Sequence, residues 1–134
     1  MLVQPYLFFE GRCDEALEFY RKALKAEITA VMRYKESPDQ SGVEPGMADK
    51  VMHSAFQVGE TTVMASDGMN SGKPNFAGVM LSLTVGSDDE AQRIFNALSE
   101  GGQVRQPLTK TFFSSKFGML ADRFGVGWMV LTSH

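Results

Sequence analysis

The sequence predicts an α+β fold: two tandem β-α-β-β-β modules whose strands form a curved, cup-like mixed sheet, with the helices on its outer face. Three observations predict it. The pattern Gly-x-x-Asp-Glu-Ala occurs at Gly11–Ala16 and again at Gly86–Ala91, 75 positions later. Each copy follows an apolar run and opens a stretch with helical periodicity. After each helical stretch come segments rich in β-branched and aromatic residues, separated by Gly-containing turns. One helix per half can cover only one face of a strand-dominated layer, so the other face must curl into a cup or meet a partner.

The first strand is the run Pro5–Phe9, with Tyr6 and Phe8 on one face and Pro5, Leu7 and Phe9 on the other. A helix follows, its stripe formed by Ala16, Phe19, Tyr20, Ala23 and Leu24. Asp14 and Glu15 suit a first helical turn, where the macrodipole favours negative charge. Ile28–Lys35 has strand composition, and the stretch from Glu36 to Asp49 is a loop without periodicity. Val51–Val58 and Thr61–Ser66 flank Gly59-Glu60 as a hairpin.

The second half repeats the scheme with clearer signals. Val79, Leu81, Leu83 and Val85 alternate with Met80, Ser82 and Thr84, the period of a strand. Ser87 with Glu90 forms a capping box for a helix striped by Ala91, Ile94, Phe95 and Leu98, and Gly101-Gly102 ends it. A weak strand is expected near Val104, then a hairpin from Phe117 to Thr132 that turns near Phe124–Gly127. Trp128 shares parity with Val126 and Val130, which places it in the core beneath a helix. The chain reads as a single domain over 1–134: module one at about 1–68, a connector at about 69–78, module two at about 79–134.

Composition narrows the function classes. A net charge of −3 without a Lys/Arg cluster argues against nucleic acid as a partner. No apolar run is long enough to span a bilayer, and the N-terminal stretch lacks the basic leader of a signal peptide. The lone Cys13 excludes an internal disulfide and suits a reducing compartment, so a cytoplasmic location is expected. Ten Phe and nine Met supply adaptable apolar volume for a core or a ligand cavity.

The details resemble a known family. Tyr6-Leu-Phe-Phe-Glu-Gly-Arg-Cys-Asp-Glu-Ala-Leu-Glu-Phe-Tyr20 is similar to the opening of the PhnB-like branch of the vicinal oxygen chelate (glyoxalase/bleomycin-resistance/dioxygenase) superfamily. Lys50-Val-Met-His-Ser54, Ser66-Asp67 and Phe117-Gly-Met-Leu-Ala-Asp-Arg-Phe-Gly-Val-Gly-Trp128 resemble it too. The superfamily hosts lyases, isomerases, dioxygenases and non-catalytic binding proteins, so the resemblance implies a fold more than a reaction. Members of this branch have carried a demethylubiquinone-methyltransferase label, yet no Gly-rich loop after a parallel strand is present to seat a methyl-donor nucleotide.

Metal-dependent members have His or Glu ligands on the first and last strands of each module. The resemblance and the 75-residue repeat place those positions at Pro5, Met64, Met80 and Met129. Proline has no donor and a thioether is soft, so no metal and no cofactor are expected. His53, Glu60 and Asp67 are the alternative ligand candidates, at a spacing that matches no motif. His53 is the one internal histidine, and the position two residues on, where relatives often carry Glu, is Ala55.

The expected function is metal-independent binding of a small molecule in a partly apolar cup. Its lining candidates are Leu7, Phe9, His53, Met64, Ser66, Asp67, Ser82 and Met129. A metal-dependent lyase, isomerase or dioxygenase is the alternative, and a dimeric interaction module with a closed cup is a third reading. Ser66-Asp67 is equally a turn that starts the connector. A homodimer is expected, because a sheet face carrying Phe and Met is more apolar than monomers usually expose.

Overall fold

The computed structural model describes residues 1–68 and 72–133; part of the expected connector, and His134, lie outside them. The chain is α+β, with two α-helices and eight strands in two mixed sheets among the described residues. It divides into two compact units, with the boundary between Pro74 and Asn75, inside the stretch expected to connect the modules.

The first unit contains β1 (Tyr6–Phe8), α1 (Cys13–Leu24), β2 (Glu27–Arg33), a 3-10 turn (Tyr34–Glu36), β3 (Val51–Val58) and β4 (Thr61–Ser66). Its strand order is β1-β4-β3-β2, with β1 parallel to β4 and the other pairs antiparallel. Ala16, Leu17, Tyr20 and Ala23 form the buried stripe of α1. Beneath them the core is aromatic: Tyr20 stacks on Phe56 with centroids 5.5 Å apart, and Phe9 lies 6.1 Å from Tyr20. The N-cap position of α1 is Arg12, whose side chain caps nothing. Asp67 takes over that role from the end of β4, its Oδ1 accepting the Cys13 N–H at 2.8 Å.

The second unit contains β5 (Met80–Val85), α2 (Asp88–Ser99), β6 (Gln103–Thr109), β7 (Phe117–Ala121) and β8 (Gly127–Thr132). The order β5-β8-β7-β6 repeats the first sheet's plan, again with the first pair parallel. Here the cap is local: Ser87 Oγ accepts the Glu90 N–H at 3.2 Å, as the capping box predicts. The helix gives way to Gly101 at φ +78°, a conformation glycine adopts without a side-chain clash. Trp128 is 2% exposed and its Nε1–H donates to Asp122 Oδ2 at 2.9 Å. Asp122 Oδ1 also accepts the Phe124 and Val126 N–H groups, which builds the β7–β8 turn.

The two units do not share one offset. Buried helix residues Ala16, Tyr20 and Ala23 correspond to Ala91, Phe95 and Leu98, 75 positions on. The core-facing strand residues Leu7 and Phe9 correspond instead to Leu83 and Val85, 76 positions on. The extra residue lies in the β1–α1 turn, where Glu10 and Gly11 adopt φ of 49° and 105°. A one-residue slip moves every strand side chain to the opposite face.

Candidate functional site on the first sheet

That slip decides which residues face outward. Leu7 and Phe9, expected to line the cup, are buried beneath α1, Phe9 with no exposed surface. The face that α1 leaves uncovered carries Tyr6 and Phe8 instead, at 38% and 49% exposure. Register extends it across the sheet. Tyr6 lies beside Met64, Met64 opposite Ala55, and Ala55 opposite Ala30. One row on, Phe8 lies beside Ser66, and His53 opposite Met32. Met32 is exposed, whereas His53 and Met64 are half-buried.

The polar centre of this face is a tyrosine–histidine pair. Tyr6 Oη and His53 Nδ1 are 2.9 Å apart, with the rings tilted 37° at 5.6 Å. Phe8 also stacks on Tyr6, with centroids 5.0 Å apart and planes at 29°. Partial burial holds the Tyr6 phenol above its usual pKa, with Cys13 and Tyr34 adding to the effect and a hydrogen bond with Ser66 opposing it. Tyr6, Phe8, Met32, Ala55 and Met64 carry no charge, so His53 meets an apolar, aromatic surround.

The other candidates are structural. Asp67 is fully buried, and its two oxygens accept the Cys13 and Val51 N–H groups at 2.8 and 2.7 Å. It ties the start of α1 and the start of β3 to the end of β4, and offers nothing to a ligand. Ser66 is buried as well, donating to Val51 O at 3.3 Å and accepting the Gly68 N–H at 2.9 Å. Asp67 therefore serves the fold, while Ser66 is buried at the foot of the Tyr6 and Phe8 side chains. Cys13 is fully buried against the Ser54 hydroxyl at 3.7 Å, and burial pushes its thiol up to about 12. Such a thiol is protonated and unreactive at neutral pH.

His53, Glu60 and Asp67 do not converge. His53 is on the uncovered face, Glu60 in the exposed β3–β4 turn, and Asp67 inside. Among the described residues, no three His, Cys, Asp or Glu side chains are grouped as a metal requires. Met64 and Met129 occupy equivalent positions, opposite Ala55 and Met119 respectively. Their first-strand neighbours are Tyr6 and Ser82, not the expected Pro5 and Met80. In the second unit Ser82 and Thr84 are exposed on the face uncovered by α2, with Met119, Met129 and Phe117 half-buried beside them.

A family model described as 3-demethylubiquinone-9 3-methyltransferase matches residues 2–131. The chain belongs to this family. It is the PhnB-like branch, and the fold is that of the vicinal oxygen chelate superfamily. Protein YjdN from Escherichia coli is 31% identical over 97% of this chain and 94% of its own length. Protein PA1353 from Pseudomonas aeruginosa is 40% identical, with a TM-score of 0.88 over 99% of this chain and 98% of that one. A Bacillus cereus PhnB protein, titled a putative 3-demethylubiquinone-9 3-methyltransferase, is 28% identical, with a TM-score of 0.82 over 99% and 100%. In this PhnB-like chain the turn after β1 is Phe9-Glu10-Gly11-Arg12, a single glycine where a nucleotide-binding loop needs several.

Sequence reasoning missed Tyr6 and Phe8 as surface groups. Their shared face was readable from the alternation. The left-handed Glu10-Gly11 turn, which sets where that face points, has no signal beyond Gly11 itself.

Proposed function

We propose that this PhnB-like protein binds a small molecule without a metal, on the uncovered face of the first sheet around Tyr6, Phe8, His53 and Met64. One observation carries the reading: a hydrogen-bonded Tyr6–His53 pair, 2.9 Å apart, set among exposed and half-exposed aromatic and thioether side chains. Small-molecule sites are mostly apolar surfaces with a few placed polar groups. Methionine at the last-strand positions, Met64 and Met129, supports metal independence, because thioethers are poor ligands for hard divalent ions.

The test is a fragment screen by thermal shift, run with EDTA and then with Zn²⁺, Mn²⁺ or Ni²⁺. Fragments should raise the melting temperature of the wild type and lose that effect in His53→Ala, whose own melting temperature should stay close to wild type. EDTA and the metals should change nothing. Several degrees of stabilisation by stoichiometric metal would count against metal independence, since a ligand of the native state raises its stability. A screen in which His53→Ala keeps every hit would remove the site.

A cytoplasmic homodimer belongs to the same reading. Phe112 is fully exposed and Phe113 is 47% exposed, an apolar surface that a second copy can cover. The buried, unpaired Cys13 supports a reducing compartment. Light scattering that gives only a 14.8 kDa species at micromolar concentration would exclude the dimer.

A further inference from the structure

We propose that Tyr6 is a positioning residue: its phenol O–H donates to His53 Nδ1, fixes the imidazole as the Nε2–H tautomer, and so adapts this face to flat aromatic molecules that carry an acceptor oxygen. The proposal rests on the small-molecule reading above and names the class of ligand.

In a neutral imidazole one ring nitrogen donates and the other accepts, and the partner of one nitrogen decides which. Tyr6 Oη lies 2.9 Å from Nδ1. Two observations make Tyr6 the donor. Its burial favours the protonated phenol, which keeps a hydrogen to give. Of the two acceptors within reach of that hydrogen, the imidazole nitrogen is the more basic, and the Ser66 hydroxyl already accepts the Gly68 N–H. With Nδ1 accepting, Nε2 carries the imidazole hydrogen, and Nε2 has no hydrogen-bond partner among the described residues.

The surround selects the rest of the ligand. Phe8 stacked on Tyr6, with Met64 beside Tyr6 and Met32 beyond His53 on the opposite edge strand, offers a ring-sized apolar surface. Aromatic and thioether groups favour a flat π-system over a branched aliphatic one. None of Tyr6, Phe8, His53, Met32 and Met64 is acidic; the Glu10 carboxylate lies by Gly68 close to the Phe8 ring, and the Arg33 guanidinium is bound bidentately by Asp14 at 2.8 and 2.9 Å. A lone N–H donor on such a surface reads an acceptor oxygen, a carbonyl or a carboxylate, attached to the ring.

Two measurements on the full chain test this. The first is ¹⁵N NMR of the imidazoles. Wild-type His53 should show the Nε2–H tautomer, and Tyr6→Phe should shift it to a tautomeric mixture. A wild-type Nδ1–H tautomer would overturn the proposal.

The second uses ¹³C-methyl methionine spectra with three probes: naphthalene-2-carboxylate, 2-acetylnaphthalene and 2-methylnaphthalene. The first two should shift the Met32 and Met64 methyls and leave Met119 and Met129 unmoved. The third, which lacks an acceptor, should bind about tenfold more weakly, the worth of one good hydrogen bond. Tyr6→Phe should narrow that tenfold difference, because the Nε2–H tautomer must then be selected from the mixture, while still binding the ring. Equal binding of all three by the wild type would overturn the acceptor requirement and leave the small-molecule reading standing. No shift of Met32 or Met64 with any probe would overturn both.

Discussion

The two units share a plan and differ at nearly every position where chemistry could occur. Pairing places Tyr6 where the second unit has Ser82, Phe8 where it has Thr84, and Ala55 where it has Met119. Carried one row further along β3 and β7, the same alignment sets His53 against Phe117. Only Met64 and Met129 match. The first face thus combines aromatic rings with a polar pair, while the second has hydroxyls at its edge and thioethers within. One frame is used twice, and the side chains on the uncovered faces differ where neither core depends on them. The covered faces differ less, each keeping one large aromatic from its helix, Tyr20 or Phe95, over the strands.

Caps separate the units most sharply, and breaking them should give the largest effect. Asp67→Ala removes the acceptor of two buried N–H groups, Cys13 and Val51. It should cost about 2–4 kcal/mol in urea unfolding, because both donors are then left buried without partners. Ser87→Ala, which removes the local cap of α2, should cost only about 1 kcal/mol. Equal losses would show that the two helix starts are held alike after all.

A swap between equivalent core positions should come next. Ser54 and Gly118 occupy the same place on β3 and β7. A Cβ at Gly118 would meet the Phe95 ring at 2.7 Å and Gln106 O at 2.9 Å. Gly118→Ser should therefore destabilise by about 2–3 kcal/mol through overpacking. Ser54→Gly loses the 2.8 Å bond to Ala65 O and gains chain freedom, for about 1–2 kcal/mol. A Gly118→Ser protein as stable as wild type would mean that Phe95 has room to move.

The features that divided the units most clearly in sequence were the local ones. Ser87 with Glu90, the Gly59-Glu60 hairpin and the alternation over Val79–Val85 each declare themselves within seven residues, and each forms where expected, β5 starting at Met80. β2 ends at Arg33, two residues before its expected limit, because Tyr34–Glu36 turns into a 3-10 segment tied by Arg33 N–H to Glu36 at 2.9 Å. The candidate site was half legible. His53 stands out by residue type and Met64 by its place in the repeat, but Leu7 and Phe9 are read as outward because a repeat of 75 is carried through a turn that has one residue more in the first unit. Asp67 looked like a site group since its partners, 54 and 16 positions away, leave no trace nearby.

An effect confined to alkaline pH, and absent at neutrality, concerns the thiol, which the second unit lacks. Burial raises the folded-state pKa of Cys13 from 9.0 to about 12, so the native state holds a proton that the unfolded chain releases earlier. Its contribution is complete below about pH 9 and is lost as the pH rises toward 12. Unfolding free energy should fall with pH across that window, and Cys13→Ala should flatten the slope. The raised Tyr6 phenol acts with the same sign, so some slope should remain. An unchanged profile in Cys13→Ala would show that the thiol ionises in the native state.

The capping of α1 by Asp67 also bears on the order in which the chain acquires its structure. A helix of 12 residues whose start is completed by a carboxylate 54 positions later cannot be finished until β4 is in place. Loop closure over that distance delays its reward, whereas α2 closes its first turn within its own sequence. In the folding transition state, substitutions on α2 should then report native contacts already made, and those at the start of α1 should report contacts still to come. One duplicated plan would thereby fold by two schedules, set by where each helix keeps its cap.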